Sequence, residues 1–175
     1  EDFSGDNERG GERGLRGIVV TGDNIYVAGS SSIKILDTET FKTVVTSHDK
    51  EVFNSIHEIC YYDYHLWVTS TGIDCVIKLD KYLNIVDAWH IYGIQHEAHH
   101  TISHKSKVTS FHGLDDKLHI NSIAAHNGRV VFSGCLTPLY DFETLGEVAG
   151  LVRGGFTHNF EEFPDMTISN KTSSK

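Results

Sequence analysis

Twelve histidines in 175 residues are the first chemical signal, and seven of them lie between His90 and His119. Imidazole titrates near neutrality, donates or accepts hydrogen bonds and binds metals, so clustered histidines suggest acid–base or metal chemistry. Three patterns stand out. Arg16, His57, Asn121 and His158 occupy the same point of four repeated strand-like runs, each a place where an apolar residue would be expected. His119 precedes Asn121 by two residues and so shares its strand face, whereas Glu58, next to His57, is expected to point the other way. Such a ring suits a metal held by His57, His119 and His158, or an anion or polyol held by hydrogen bonds. In that reading the three histidines are the candidate catalytic groups, and Arg16, Asn121 and Asp116 orient substrate. Polar residues that merely bond channel waters are the bland alternative.

The second pattern, His96-Glu97-Ala98-His99-His100, matches H-E-x-x-H, in which two histidines one helical turn apart bind zinc. The buried amphipathic helix this requires is not written in the polar flanks. A solvated loop is therefore the leading reading, with His96 and His100 as a secondary metal site. The third, Asp115-Asp116-Lys117-Leu118-His119-Ile120-Asn121, has the spacing of a carboxylate–imidazole pair, or of a capped strand start.

These residues must be positioned by strands. Short Val/Ile/Tyr/Thr runs separated by Gly/Asn/Asp turns recur in groups of four. LRGIVV, IYVAGS, IKIL and KTVVTS form the first group, and IHEICYY, LWVTST, CVIKLD and NIVDAWHIY the second. The third is HINSIAA, VVFSG, LTPLYD and EVAGLV, and THNFEEF with MTIS begins a fourth. An Asp closes each third strand, at Asp37, Asp80 and Asp141, followed by DTETF, DKYLN or DFETL. Four-stranded units at a fixed period predict an all-β propeller of antiparallel blades. The blades span 14–50, 55–92 and 119–153, a further one starts at 156–175, and 93–118 is a His-rich insertion expected to lie as a strandless loop over one face. A solenoid or sandwich is the structural alternative.

Three and a half blades do not close a ring. Missing chain, a second copy or another subunit is expected to complete it, and the start at Glu1 leaves a removed leader or missing flanks open. The net charge of −9 disfavours nucleic acid, and no apolar run approaches a membrane span. A cytoplasmic location is favoured. Cys60, Cys75 and Cys135 have no metal or disulfide spacing and read as buried thiols.

IHEICYYDYHLWVTSTGIDCVIKLD (56–80) resembles a blade of an uncharacterised, mainly bacterial propeller family, with its I-H-D/E first strand and tryptophan-bearing second strand. DDKLHINSIA (115–124) is similar to that family's acidic–x–x–His–x–Asn–Gly motif, with Ser122 in place of Gly. GGFTHNFEE (154–162) resembles its Pro-His-Ser-Pro element, with His158 at the His and Thr157 at the first Pro. The resemblance implies the propeller fold and the axial residues without supplying an activity. The readings to weigh are an axial site for a small molecule or glycan, with or without a divalent metal in lyase or hydrolase chemistry, and a non-catalytic module or structural subunit that binds protein.

Overall fold

The computed structural model describes residues 15–151. Thirteen strands in this span form three sheets, each an up-and-down antiparallel meander. The first holds β1 (Gly17–Val20), β2 (Asn24–Ala28), β3 (Ser32–Asp37) and β4 (Thr43–His48). The second holds β5 (Ile56–Tyr62), β6 (His65–Ser70), β7 (Cys75–Leu79), β8 (Ile85–Gln95) and β9 (His100–Lys107). The third holds β10 (Ile120–His126), β11 (Arg129–Gly134), β12 (Pro138–Asp141) and β13 (Glu147–Leu151). The first strand of each sheet contacts the first strand of the next, β1 on β5 and β5 on β10. Sheets arranged around adjoining innermost strands are propeller blades. His158 and the fourth repeat lie outside the described residues.

The recurring aspartates are turn devices. Asp37 Oδ1 accepts the N–H of Glu39 and Thr40 and the Thr40 hydroxyl, Asp80 Oδ1 accepts the N–H of Tyr82 and Asn84, and Asp141 Oδ1 accepts the N–H and hydroxyl of Thr144. A short acceptor that bonds the backbone two to four residues on folds the chain back locally, so each third strand delivers its fourth in register. The bonds from Thr40 hold the Asp37 carboxyl below its ordinary value.

Blades pack face to face through alternate residues. Ile59, Val68 and Ile77, paired across β5, β6 and β7, fill the core against Tyr26, Ile33 and Ile35 of the first blade. Ile123, Phe132 and Tyr140 of the third blade pack on Trp67, Val76 and Ile91 of the second. Burial pushes the thiols of Cys60 and Cys75 up to about 12, and the three cysteines are unbridged.

The insertion corrects the sequence expectation. Strand β8 runs on to Gln95, the chain turns at 96–99, and β9 returns beside it from Gln95↔His100 to Trp89↔Lys107. A fifth strand therefore covers the outer edge of the second blade, and only 108–119 remains as irregular connector. The pairing rests on the backbone ladder, which every residue supplies, so a run such as HTISHKSK forms a strand without an apolar period.

Candidate functional site

Antiparallel order brings three kinds of segment to one end of the stack. The connectors 49–55 and 108–119 enter the first strands β5 and β10 there, and the turns between second and third strands lie at the same end. His57 and Asn121 sit at the starts of β5 and β10, at equivalent points of the ladder. Ile56 pairs with Ser70 and Ile120 with Gly134, the last residues of the second strands, and a β-bulge follows in each case. A bulge sets extra residues against the partner strand and re-aims side chains, a device found beside sites.

Asp116 and His119 arrive on the connector. His119 Nδ1 lies 2.7 Å from Asp116 Oδ2, and the His119 ring meets that of His57 edge-to-face with centroids 5.1 Å apart. Both partners of the carboxylate–imidazole pair keep about a third of their side-chain surface exposed, so solvent or a ligand reaches them. The backbone at His119 is left-handed, with φ of 54°. Asn121 Oδ1 is buried with no donor in reach, an acceptor the described residues leave unmet.

The His119 segment is held from both sides. Asp74, in the turn after Thr71–Ile73, is 1% exposed, and its carboxylate accepts the N–H groups of Lys117 (2.6 Å), Leu118 (2.7 Å) and Ile120 (3.0 Å). Burial raises the Asp74 carboxyl above its ordinary value, while the three N–H groups favour its charged form. From the other side, the Cys135 N–H donates to the carbonyls of Leu118 and His119. A Cβ at Gly134 would lie 2.4 Å from the Leu118 carbonyl oxygen, so glycine is what lets this turn pass. The Thr71 hydroxyl adds a bond to the Ile120 carbonyl.

Arg16 and Glu58 are among the residues of β5, β10 and the entry to β1 that line an open cleft of about 460 Å³. Glu58 corrects the expectation from strand alternation: across the bulge it turns toward the third blade. There its Oε2 accepts the Ser122 hydroxyl and the Ile123 N–H, both at 2.9 Å. His57 and Glu58, adjacent in sequence, thus both reach β10 or its entry.

His96 and His100 are apart from this cluster. They flank a hairpin turn rather than a helix: the His96 N–H donates to the His99 carbonyl, and its ring stacks on His99 at 4.6 Å. Among the described residues, no three His, Cys, Asp or Glu side chains are grouped to hold a metal ion.

His90 was not singled out by sequence, yet it is buried where the connector crosses β8, and neither ring nitrogen meets hydrogen-bond geometry. Burial holds its pKa below the ordinary 6.5, Asp74 and Asp115 oppose that shift, and Lys117 adds to it. A lowered folded pKa means that the unfolded chain binds the proton first. Stability is therefore full above about pH 6.5 and falls as pH drops through that value toward the folded pKa. Urea midpoints of wild type and His90→Phe should diverge accordingly, the wild type losing more between pH 7.5 and 5.5. Parallel pH profiles would show that His90 is not held neutral.

No family model matches this chain, and no curated protein matches its sequence. Several solved propellers are similar in shape. Streptogramin B lyase aligns with 91% of this chain and 59% of its own at 12% identity and a TM-score of 0.45. Glutaminyl cyclase of Myxococcus xanthus aligns with 79% and 56% at 11% identity and a TM-score of 0.42. The Pan2 WD40 domain of Neurospora crassa aligns with 78% and 52% at 10% identity and a TM-score of 0.39. The chain spans between half and three-fifths of the length of these structures.

Proposed function

We propose that the mouth formed by His57, Asp116, His119 and Asn121 binds a small polar molecule or sugar unit, on which His57 and His119 act as the acid–base pair of a lyase or hydrolase. The single observation that carries this reading is the 2.7 Å Asp116–His119 contact set edge-on against His57 at bulged strand starts. A carboxylate on Nδ1 selects the tautomer whose Nε2 is a free acceptor, which is what a general base needs. His57 beside it supplies a second imidazole to return a proton. Asn121 offers an orphaned acceptor to a ligand hydroxyl, and Arg16 with Glu58 extends the polar lining into the cleft. The likeness of 56–80 and 115–124 to the bacterial propeller family rests on motifs, and it points to the same His57, His119 and Asn121. A metal-assisted version takes His57 and His119 as ligands with His158 as the third.

The test is a titration of the full chain with galactose, glucuronate and lactate, read by the imidazole ¹H–¹⁵N signals. A bound probe should shift His57 and His119 first, and His57→Ala and His119→Ala should each weaken it about tenfold, near 1.4 kcal/mol. For a probe that is turned over, Asp116→Asn should slow the reaction by about 10²–10⁴ with little change in binding. Elemental analysis of the same preparation separates the two versions: a stoichiometric metal lost in His57→Ala supports the metal-assisted one. Probe shifts confined to the outer strands would contradict an axial site.

A further inference from the structure

His90 lies 7% exposed at the middle of β8, paired in the ladder with Cys75 of β7 and Ser106 of β9. Neither ring nitrogen has a hydrogen-bond partner. A neutral imidazole carries one donor and one acceptor, and folded interiors rarely leave both unmet. Titratable groups face the ring from each element packed on it. Asp74 comes from the turn before β7, Cys75 from β7, and Asp115 and Lys117 from the connector. Tyr92 of β8 meets the imidazole edge-to-face at 4.4 Å, with His104 of β9 stacked on Tyr92 in turn.

The nearby carboxylates are engaged elsewhere. Asp74 Oδ2 accepts the N–H groups of Lys117 and Leu118, and its Oδ1 that of Ile120. The Asp115 side chain is 61% exposed and turns to Lys117 Nζ at 3.4 Å. The Asp115 backbone carbonyl favours a protonated ring but falls outside hydrogen-bond geometry. An imidazolium here loses its water without gaining a hydrogen bond, and burial outweighs the attraction of the two carboxylates. The cover over His90 is also the stretch that positions the site. Lys117, Leu118 and Ile120 are clamped on Asp74 on either side of His119, and Gln95 Nε2 donates to the Lys117 carbonyl.

We infer that His90 is an acid-sensitive latch: its protonation releases the 115–118 stretch from β8 so that the ring reaches water, and this draws Asp116 and His119 from their place against His57. Near neutral pH the ring is uncharged and the mouth is assembled. In mild acid the open form takes the proton, and a proton that binds the open form better than the closed one shifts the population toward open.

Amide hydrogen exchange of the full chain at pH 7.5 and 5.5 tests the latch, read as protection factors so that the direct effect of pH on exchange cancels. Leu118 and Ile120 should be less protected than Val68 and Phe132 at both pH values, the mark of local opening without unfolding. Their protection should fall by up to about tenfold at pH 5.5, the ceiling set by one imidazole of ordinary pKa near 6.5 in the open form. In His90→Phe this fall should vanish. Protection of Leu118 and Ile120 that equals that of Val68 and Phe132, or that does not change with pH, overturns the inference. A fall that survives in folded His90→Phe overturns it equally, since Asp74 or another group then carries the proton. If His90→Phe does not fold, wild type decides: the fall must track the titration of the His90 ring signals, and a fall that tracks another group overturns the latch.

Discussion

Replacing Asp74 with alanine should lower the unfolding free energy by about 3–5 kcal/mol, the expected consequence of orphaning several buried N–H donors at once. The carboxylate is almost wholly buried and receives three backbone N–H groups, from Lys117, Leu118 and Ile120. These residues bracket His119, whose left-handed backbone has no helix or ladder to hold it. Removing the acceptor leaves each donor without water or partner, so the connector has to lift from the second blade to rehydrate them. Asp74→Asn keeps one acceptor oxygen but loses the charge and turns an NH₂ toward N–H donors, so about half the loss is expected. Urea unfolding followed by the fluorescence of Trp67 and Trp89 reads both variants. A loss under about 1 kcal/mol for the alanine variant, well below the range for such donors, would show that the clamp is not formed.

Glu58→Ala should cost about 1–3 kcal/mol, through the Ile123 N–H that loses its acceptor and the loosened contact between β5 and β10. The same urea experiment reads it, and Glu58→Gln is the control. The glutamine oxygen still accepts from both groups, so that variant should stay within about 1 kcal/mol of wild type. If glutamine were as damaging as alanine, the negative charge in the cleft would be the essential feature instead of the bridge to the third blade.

Legibility in the sequence followed the range of the interaction. The blade repeat was legible because alternating Val, Ile and Tyr and the turn aspartates Asp37, Asp80 and Asp141 act within a few residues. His57 and Asn121 were legible as polar residues at equivalent points of apolar strands, and the Asp116–His119 contact as a three-residue spacing. Glu58 was misread because strict alternation fails where a bulge adds a residue. Asp74 left no signal, since its partners are backbone N–H groups 43 to 46 residues away that any residue would supply. Strand β9 went unseen for the related reason that its ladder carries no apolar period.

The central claim is that Asp116 fixes His119 beside His57 at the axial mouth. Long-range ¹H–¹⁵N correlation of the imidazoles in the unliganded chain tests it most directly, because the shifts of Nδ1 and Nε2 report which nitrogen carries the proton. The account predicts a proton on His119 Nδ1, held toward Asp116, a change of tautomer or ring shift in Asp116→Asn, and a ring-to-ring contact with His57. A His119 protonated on Nε2, indifferent to Asp116→Asn and without a His57 contact, would contradict it.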